Sequence, residues 1–480
     1  MRVSMKVKNI LMAMVMLMVC NGISAQKKIV VVSDPHVMAP ELLVNKGKAW
    51  TDYLNGQRKM VDYSQPLFDE MIARIKTAKP DLVLITGDLT KDGEQLSHRY
   101  VISKLDELRD LGIKTLVIPG NHDRWASGDA VYYDGDETRK AETADNSWFA
   151  EQYANYGYGE GSEREPNTLT YACEPIDGLV VIGIDSGTDG KWSETTLDWI
   201  TTQASNARKN GKQVIAMMHH PLLPHFTGVE NFVETTAVTD YERMRNRLAD
   251  LDLKVVFTGH IHTSDIARDW NEAKEKEIYD VNTGSLISYP CDYREVTLSN
   301  DLSKMSITTA HISTLEGTDN FADYAKGRLK TAIENIVTAR GAVYAVAAPT
   351  VADAFIVHAE GNEPENKNSA DLLSKLETAA NMAKLWGKLT EEECTALKMM
   401  ANSMMQDKSN YGTDREDVTN DLTLDIELTA PETGTGIEAR KAEQLQTDDS
   451  WFDLQGRKHS GSPASGRLGK KPSRRGVIVF

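Results

Sequence analysis

Six short runs of this chain are apolar at nearly every position. They are KIVVVS from Lys28, DLVLIT from Asp81, KTLVIP from Lys114, LVVIGID from Leu179, QVIAMMH from Gln213 and KVVFTG from Lys254. Val/Ile-rich runs of this length read as strands buried on both faces, the pattern of a parallel sheet. Between them, residues 64–78, 96–111, 193–208 and 240–251 repeat apolar positions with a helical period. Three later runs, KEIYDVNTG, YREVTLS and KMSITTAHIS, alternate more and read as antiparallel strands. Strand and helix alternating in this way predict an α/β domain over residues 28–313.

Near Glu316–Thr318 the pattern changes. Residues 319–345 and 367–408 are helical in period and carry no β-runs. HAEGNEPENKNS (358–369) reads as a polar loop between helices, and TEEE (390–393) as a capping box opening the last helix. Residues 317–430 are therefore expected to form a helical accessory domain. The remainder, 431–480, turns rich in Gly, Ser, Lys and Arg from 456 and reads as a flexible tail. Its WFDLQGRK and GVIVF segments resemble a degenerate form of the C-terminal sorting module of exported Bacteroidetes-type proteins.

The first 25 residues have the makeup of a secretory signal peptide. Arg2, Lys6 and Lys8 precede the apolar ILMAMVMLMVC, and small residues lead to Ala25, the expected cleavage point. The apolar run is too short to span a bilayer, and no later segment is long and apolar enough. Cys20 raises a lipoprotein anchor as an alternative, against which Val19 before it is a poor fit. The expected location is extracytoplasmic, periplasmic or secreted.

The chain has 480 residues, 40% of them hydrophobic, enough for a large core and more than one domain. Its formal net charge is −17, and loss of the leader would leave −20. Such a surface repels phosphate backbones, which excludes non-specific binding of nucleic-acid polymers. A small anionic substrate remains compatible where a metal supplies local positive charge. Cys173, Cys291 and Cys394 remain after the leader. An odd count is no disulfide framework; a Cys173–Cys291 bridge is conceivable, buried thiols are the simpler reading. The sequence leaves the oligomeric state open.

The chemistry lies at the strand ends. SDPH carries Asp34 and His36, TGDLT carries Asp88, PGNHD carries Asn121, His122 and Asp123, MHHP carries His219 and His220, and TGHIH carries His260 and His262. Of 11 histidines in the chain, six fall in these five segments, which scattered surface histidines would not do. Open α/β sheets bind ligands at the carboxyl ends of their strands. Asp, Asn and His offer hard oxygen and borderline nitrogen donors, suited to Mn, Fe, Zn or similar divalent ions. Seven or so donors exceed the needs of one ion, so two divalent metal ions sharing a carboxylate are expected. The lack of cysteine in these segments argues against a structural zinc site.

The order D-x-H, GD, GNHD, HH, GHxH resembles that of the calcineurin-like metallophosphoesterases, over about residues 28–313. The stretches VVVSDPHVMAPEL and LITGDLTKDGE look most like an exported bacterial branch related to class III cyclic-nucleotide phosphodiesterases. The resemblance implies a four-layer α-β-β-α sandwich, with the C-terminal helical domain outside it. It implies that Asp34, His36 and His262 hold one metal, that Asn121, His219 and His260 hold the other, and that Asp88 bridges them. His122 would contact the phosphate and protonate the leaving group, with Asp123 orienting it. His220 would line the pocket or pack beside it. His225 is read as a surface residue, and His98, His311, His358 and His459 as structural. NTGSLISYP (282–290) is read as an ordinary turn.

The implied reaction is phosphoester hydrolysis by a hydroxide held between the metals. A phosphodiesterase acting on cyclic nucleotides or glycerophosphodiesters is the favoured reading. A phosphate-scavenging phosphomonoesterase and a non-catalytic exported binding protein are the alternatives.

Overall fold

The computed structural model describes residues 26–124, 130–228, 236–339, 341–410 and 415–430, together with four short strands between 450 and 479. The leader and the junction 431–449 lie outside the described residues, so expectations placed there have no structural counterpart.

The first half of the chain builds one sheet. β1 (Lys27–Val32), β3 (Leu82–Ile85) and β4 (Lys114–Val117) run parallel, with a small edge strand β2 (Leu43–Asn45) in between in sequence. β2 joins the hairpin of β5 (Val131–Asp134) and β6 (Glu137–Lys140) in a separate three-stranded sheet. Every residue of the LVLI strand is buried, as expected of a strand covered on both faces. The parallel crossovers are α2 (Ser64–Ala78) and α3 (Gln95–Arg109), preceded by the short α1 (Lys48–Asn55). Each buries its apolar stripe: Leu67, Phe68, Met71, Ile72 and Ile75 on one, Val101, Leu105 and Leu108 on the other.

A second sheet follows. Its strands are β7 (Ser162–Arg164), β8 (Tyr171–Ile176), β9 (Leu179–Ile184), β10 (Gln213–Met218), β11 (Val255–Thr258), β12 (Asp265–Trp270) and β13 (Glu277–Asn282), ordered β12-β13-β11-β10-β9-β8-β7. Helices α4 (Asn146–Gln152), α5 (Glu194–Lys209) and α6 (Tyr241–Asp250) accompany it. β13 departs from the sequence reading. It lies parallel to β11 and antiparallel only to β12, and all but its first residue are buried, so it is an inner strand and not an antiparallel edge. β14 (Asp292–Leu298) and β15 (Lys304–His311) then return to the first sheet, antiparallel to β1 and to each other. Residues of both sheets belong to one continuous hydrophobic core, and the Tyr171 hydroxyl donates across to Val117 O at 3.0 Å. The architecture is thus two sheets flanked by helices.

Four further helices are α7 (Phe321–Ala339), α8 (Ala342–Glu360), α9 (Ser369–Leu385) and α10 (Glu391–Met405). Thr390 and Glu393 make the capping box expected of TEEE. The polar loop contains a 3-10 turn, Glu363–Glu365. The region 317–430 does not end helically: β16 (Thr423–Glu427) pairs with β15 and becomes the outer strand of the first sheet. The helices are therefore inserted between two neighbouring strands, and residues up to 208 and 212–430 cluster as one compact unit. No helix among the described residues is long and apolar enough to cross a membrane.

The tail clusters as a second unit. Within it β17 (Ser450–Asp453), β18 (Lys458–Ser460), β19 (Gly469–Pro472) and β20 (Ile478–Val479) are ordered β18-β17-β19-β20. The sequence expectation for this region was a flexible tail; these strands are what the described residues contain.

Candidate metal centre

Each of the five polar motifs follows a strand that has at least one parallel neighbour. β1 leads to Asp34 and His36, β3 to Asp88, β4 to Asn121, β10 to His219, and β11 to His260 and His262. The loops are stitched to one another by main-chain bonds. Asp34 N donates to Gly87 O at 3.2 Å, His36 N to Asp88 O at 2.9 Å, and Gly259 N to His219 O at 3.0 Å.

Glycine precedes three of these motifs because no side chain fits. A Cβ on Gly120 would lie 2.2 Å from Asp88 Oδ1, and one on Gly259 would lie 2.0 Å from Ser33 Oγ. Gly87, at φ +95°, occupies the left-handed region open to glycine. Five candidate ligands also have positive φ: Asp34 (49°), His36 (39°), Asp88 (47°), His260 (74°) and His262 (67°). Such backbone costs energy in any residue but glycine and concentrates at functional sites.

Two groups of donors result. Ligand atoms of Asp34, His36, Asp88 and His262 lie within 4.8 Å of one another, as do those of Asp88, His219 and His260. Asn121 Oδ1 completes the second group, 2.9 Å from His219 Nε2 and 3.0 Å from His260 Nδ1. Asp88 belongs to both groups, with its Oδ2 3.5 Å from His36 Nε2 and 3.4 Å from His219 Nε2. The structure thus brings together all seven residues that the sequence nominated as ligands.

The donor set fits cations. His219 Nδ1 faces Thr86 O at 2.9 Å, which places the hydrogen on Nδ1 and leaves the Nε2 lone pair toward Asp88 and Asn121 oxygens. His36 Nε2 and His262 Nε2 face each other at 3.2 Å. Asp34 spends Oδ2 on the Ser33 hydroxyl and His260 N, while its Oδ1, fully buried, has no hydrogen-bond partner, nor has His262 Nδ1. Converging lone pairs in a buried site need positive charge. Without a metal, protons play that part: burial lowers the His219 pKa, but the Asp88 carboxylate outweighs it and raises it to about 9. Burial and neighbouring positive charge push His260 down to about 3. Burial also takes His262 to about 4 and His36 well below its usual range. His36, His260 and His262 are therefore neutral and available for ligation at neutral pH. Asp88 and Asp34 stay ionised despite burial, because the surrounding histidines favour their charged forms.

His122 stands at the open side, with 28% of its side chain exposed and its ring 5.0 Å from that of His36. Its partner is not Asp123. His122 Nδ1 meets Asp92 Oδ1 at 2.8 Å. The Asp123 carboxylate is taken up by Leu89 N (3.0 Å), Thr90 N and Oγ1 (2.9 Å each) and Gly120 N (2.8 Å), so it pins the GNHD turn to the loop after β3. Asp92 itself is buried beside Lys91, and the His122 bond with that lysine's charge holds it ionised against desolvation.

Other residues at the site were not legible beforehand. Lys59 is buried with Nζ 3.2 Å from His36 Nδ1, and burial lowers its pKa to about 8. Arg124 forms a two-pronged ion pair with Asp185 at 2.8 and 3.0 Å, fastening the GNHD turn to the end of β9. NTGSLISYP is more than a turn: Ser285 Oγ donates to Asp34 O at 2.8 Å and Asn282 Nδ2 to Gly259 O at 2.6 Å. His220 packs behind the site, its Nδ1 2.8 Å from Ser186 Oγ and its ring tilted at 48° to that of His260, 4.4 Å away. His225, read as a surface residue, is buried between Asp265 (2.6 Å) and Asp280 (3.4 Å) because the loop after β10 folds under the helices.

Residues 27–264 match the family model described as calcineurin-like phosphoesterase. Over 193 residues the chain is 30% identical to a protein of Arcobacter nitrofigilis described as "Probable glycerophosphodiester phosphodiesterase GpdQ", covering 38% of this chain and 57% of that one. It is 25% identical over 195 residues to a "Probable cyclic nucleotide phosphodiesterase" of Rhodococcus erythropolis, covering 40% and 54%. A cAMP/cGMP dual specificity phosphodiesterase of Mycobacterium tuberculosis is 24% identical over 224 residues, covering 45% and 60%. The matched region therefore spans little more than half the length of these relatives.

Proposed function

We propose, from the match of residues 27–264 to the calcineurin-like phosphoesterase family model, that this chain is a dinuclear metal-dependent phosphodiesterase for small phosphodiesters. The observation that carries the reading is Asp88, one carboxylate shared by two buried donor groups. Asp34, His36 and His262 with Asp88 would hold one divalent ion, and Asn121, His219 and His260 with Asp88 the other. Such a pair, when bound, supplies Lewis-acid stabilisation of phosphoryl charge and activation of water.

The chain's own groups do the rest. Asp92 fixes the hydrogen of His122 on Nδ1 and orients the ring, leaving Nε2 for the substrate. In its imidazolium form, with Nδ1–H held by Asp92, His122 gives its Nε2 proton to the departing alkoxide and is left neutral, a contribution of about 10²–10⁴-fold. Lys59 adds positive charge beside His36, where a phosphate would be drawn. The relatives are named for glycerophosphodiester and cyclic-nucleotide substrates, which favours the diester over the monoester reading. Export is part of the proposal and rests on Arg2, Lys6, Lys8 and the apolar run after them.

The test is hydrolysis of bis-p-nitrophenyl phosphate and p-nitrophenyl phosphate, with and without Mn²⁺, with Asp88→Ala as control. Metal-dependent cleavage of the diester well above the monoester, absent in Asp88→Ala, is the expected result. The reverse preference would make the protein a phosphomonoesterase. Inactivity with every divalent metal would return the binding-protein reading.

A further inference from the structure

A second polar cluster lies where the inserted helices meet the second sheet, and the reaction above does not use it. It joins Asp265, at the start of β12, to Asp407, just past α10, and to Asp421, just before β16. One carboxylate oxygen from each lies within 4.8 Å of the others, and all three residues are buried. A fourth carboxyl, Glu363 in the 3-10 turn, is fully buried, and its charge acts on both Asp407 and Asp421.

The hydrogen bonds do not account for these oxygens. Asp265 Oδ1 takes His225 Nδ1, Asp421 Oδ1 takes Ile266 N at 2.7 Å, and Glu363 Oε1 takes His358 Nδ1. Asp407 Oδ2, Asp421 Oδ2 and Glu363 Oε2 are buried without any partner. Burying one such oxygen costs about 1–3 kcal/mol or more, and the neighbouring carboxyl charges add to that cost. The facing cations are Arg294, His225 and His358. Arg294 gives its guanidinium to carbonyl oxygens and Thr309, His225 is held between Asp265 and Asp280, and His358 is bound to Glu363. Desolvation and like charge push Asp407 up to about 12 and Asp421 well above the carboxylate range. The cluster must therefore hold either extra protons or a cation.

We infer that Asp265, Asp407 and Asp421, with Glu363 beside them, bind one calcium ion that ties the inserted helices to the second sheet. Converging carboxylate oxygens without sulfur, with the two histidines turning Nδ1 to the outer oxygens of Asp265 and Glu363, select a hard cation. Separations up to 4.8 Å suit the wide, flexible oxygen shell of calcium better than the small octahedron of magnesium. The ion bridges three elements far apart in sequence: the strand that begins three residues after His262, the end of the last inserted helix, and the strand that closes the first sheet. It would hold the insert against the loop that carries His260 and His262.

The test uses the full mature chain carrying Asp88→Ala, so that calcium cannot be counted at the centre described above. After EGTA treatment, equilibrium dialysis should find about one calcium per chain. Calcium at about a hundredfold over its Kd should raise Tm by roughly 3 °C. Asp421→Asn and Asp407→Asn should abolish both effects. Absence of bound calcium in the Asp88→Ala chain would overturn the inference, as would a calcium shift that both variants retain. So would variants that are more stable than the parent in EGTA while the parent takes up no calcium, since the cluster then simply holds protons. Should the variants fail to fold, calcium content and the EGTA-reversible shift of the parent decide alone. Phosphodiesterase activity of the wild-type chain is scored separately, so neither failure can be mistaken for the other.

Discussion

At the scale of single residues, the candidate ligands and their supports obey different rules. Asp34, His36, Asp88, Asn121, His219, His260 and His262 are legible in the sequence because metal chemistry calls for such side chains at strand ends. The support of His122 is not, since Asp92 and Asp123 are both acidic and both near it in the chain. Only the fold reveals that Asp123 is saturated by four loop donors while Asp92 reaches the ring. We expect Asp92→Asn to lower kcat on the diester about 10–100-fold, with KM and bound metal little changed and the pH profile altered. Asp123→Asn should act differently, lowering Tm and metal content together because it unfastens two ligand loops. Equal loss of metal in both variants would refute the distinction.

At the scale of elements, continuous apolar runs became buried parallel strands, as the pattern dictates. β12 (DIARDW) does not read as a buried strand because its acidic residues are buried against partners, and β16 (TLDIE) because Asp425 and Glu427 are exposed and only Ile426 is buried. Asp265 and Asp269 are buried against His225 and Arg245. The same burial makes the loop after β10 sensitive to pH. Burial alone would lower the His225 pKa, but Asp265 and Asp280 prevail and raise it to about 10. A folded pKa above the unfolded value of about 6.5 means a stabilisation fully present below that pH. It is lost as pH rises through about 10. In calcium-free buffer, Tm should fall across this window, and His225→Gln should flatten the fall. An unchanged slope in the variant would rule out His225 as the source.

At the scale of the whole molecule, the inserted helices are fastened to the catalytic core at several points. Thr263 Oγ1 meets His358 Nε2 at 3.3 Å, Tyr289 meets Glu360 at 2.7 Å, and Arg268 N donates to Asp417 at 3.1 Å. The chain after the helices is integral too: Asp421 O receives the buried Arg294, and Ile426 is in the core. Ending the chain after residue 430 should therefore leave Tm and diester hydrolysis within experimental error. Ending it before 415 removes β16 and leaves Arg294 short of an acceptor, so soluble expression should be lost. Soluble, active protein from the shorter chain would contradict the role given to β16.

The sequence by itself determined the α/β order, the strand ends and the candidate ligand residues. Each follows from local rules: apolar runs for buried strands, and particular donor atoms for metal chemistry. Tertiary structure alone decided which acid supports His122, that His225 is buried, that residues 423–427 close the first sheet, and that Asp265, Asp407 and Asp421 converge. Those facts depend on which distant segments meet, and a charged residue reads the same in sequence whether its partner across the fold is water, an arginine or another carboxylate.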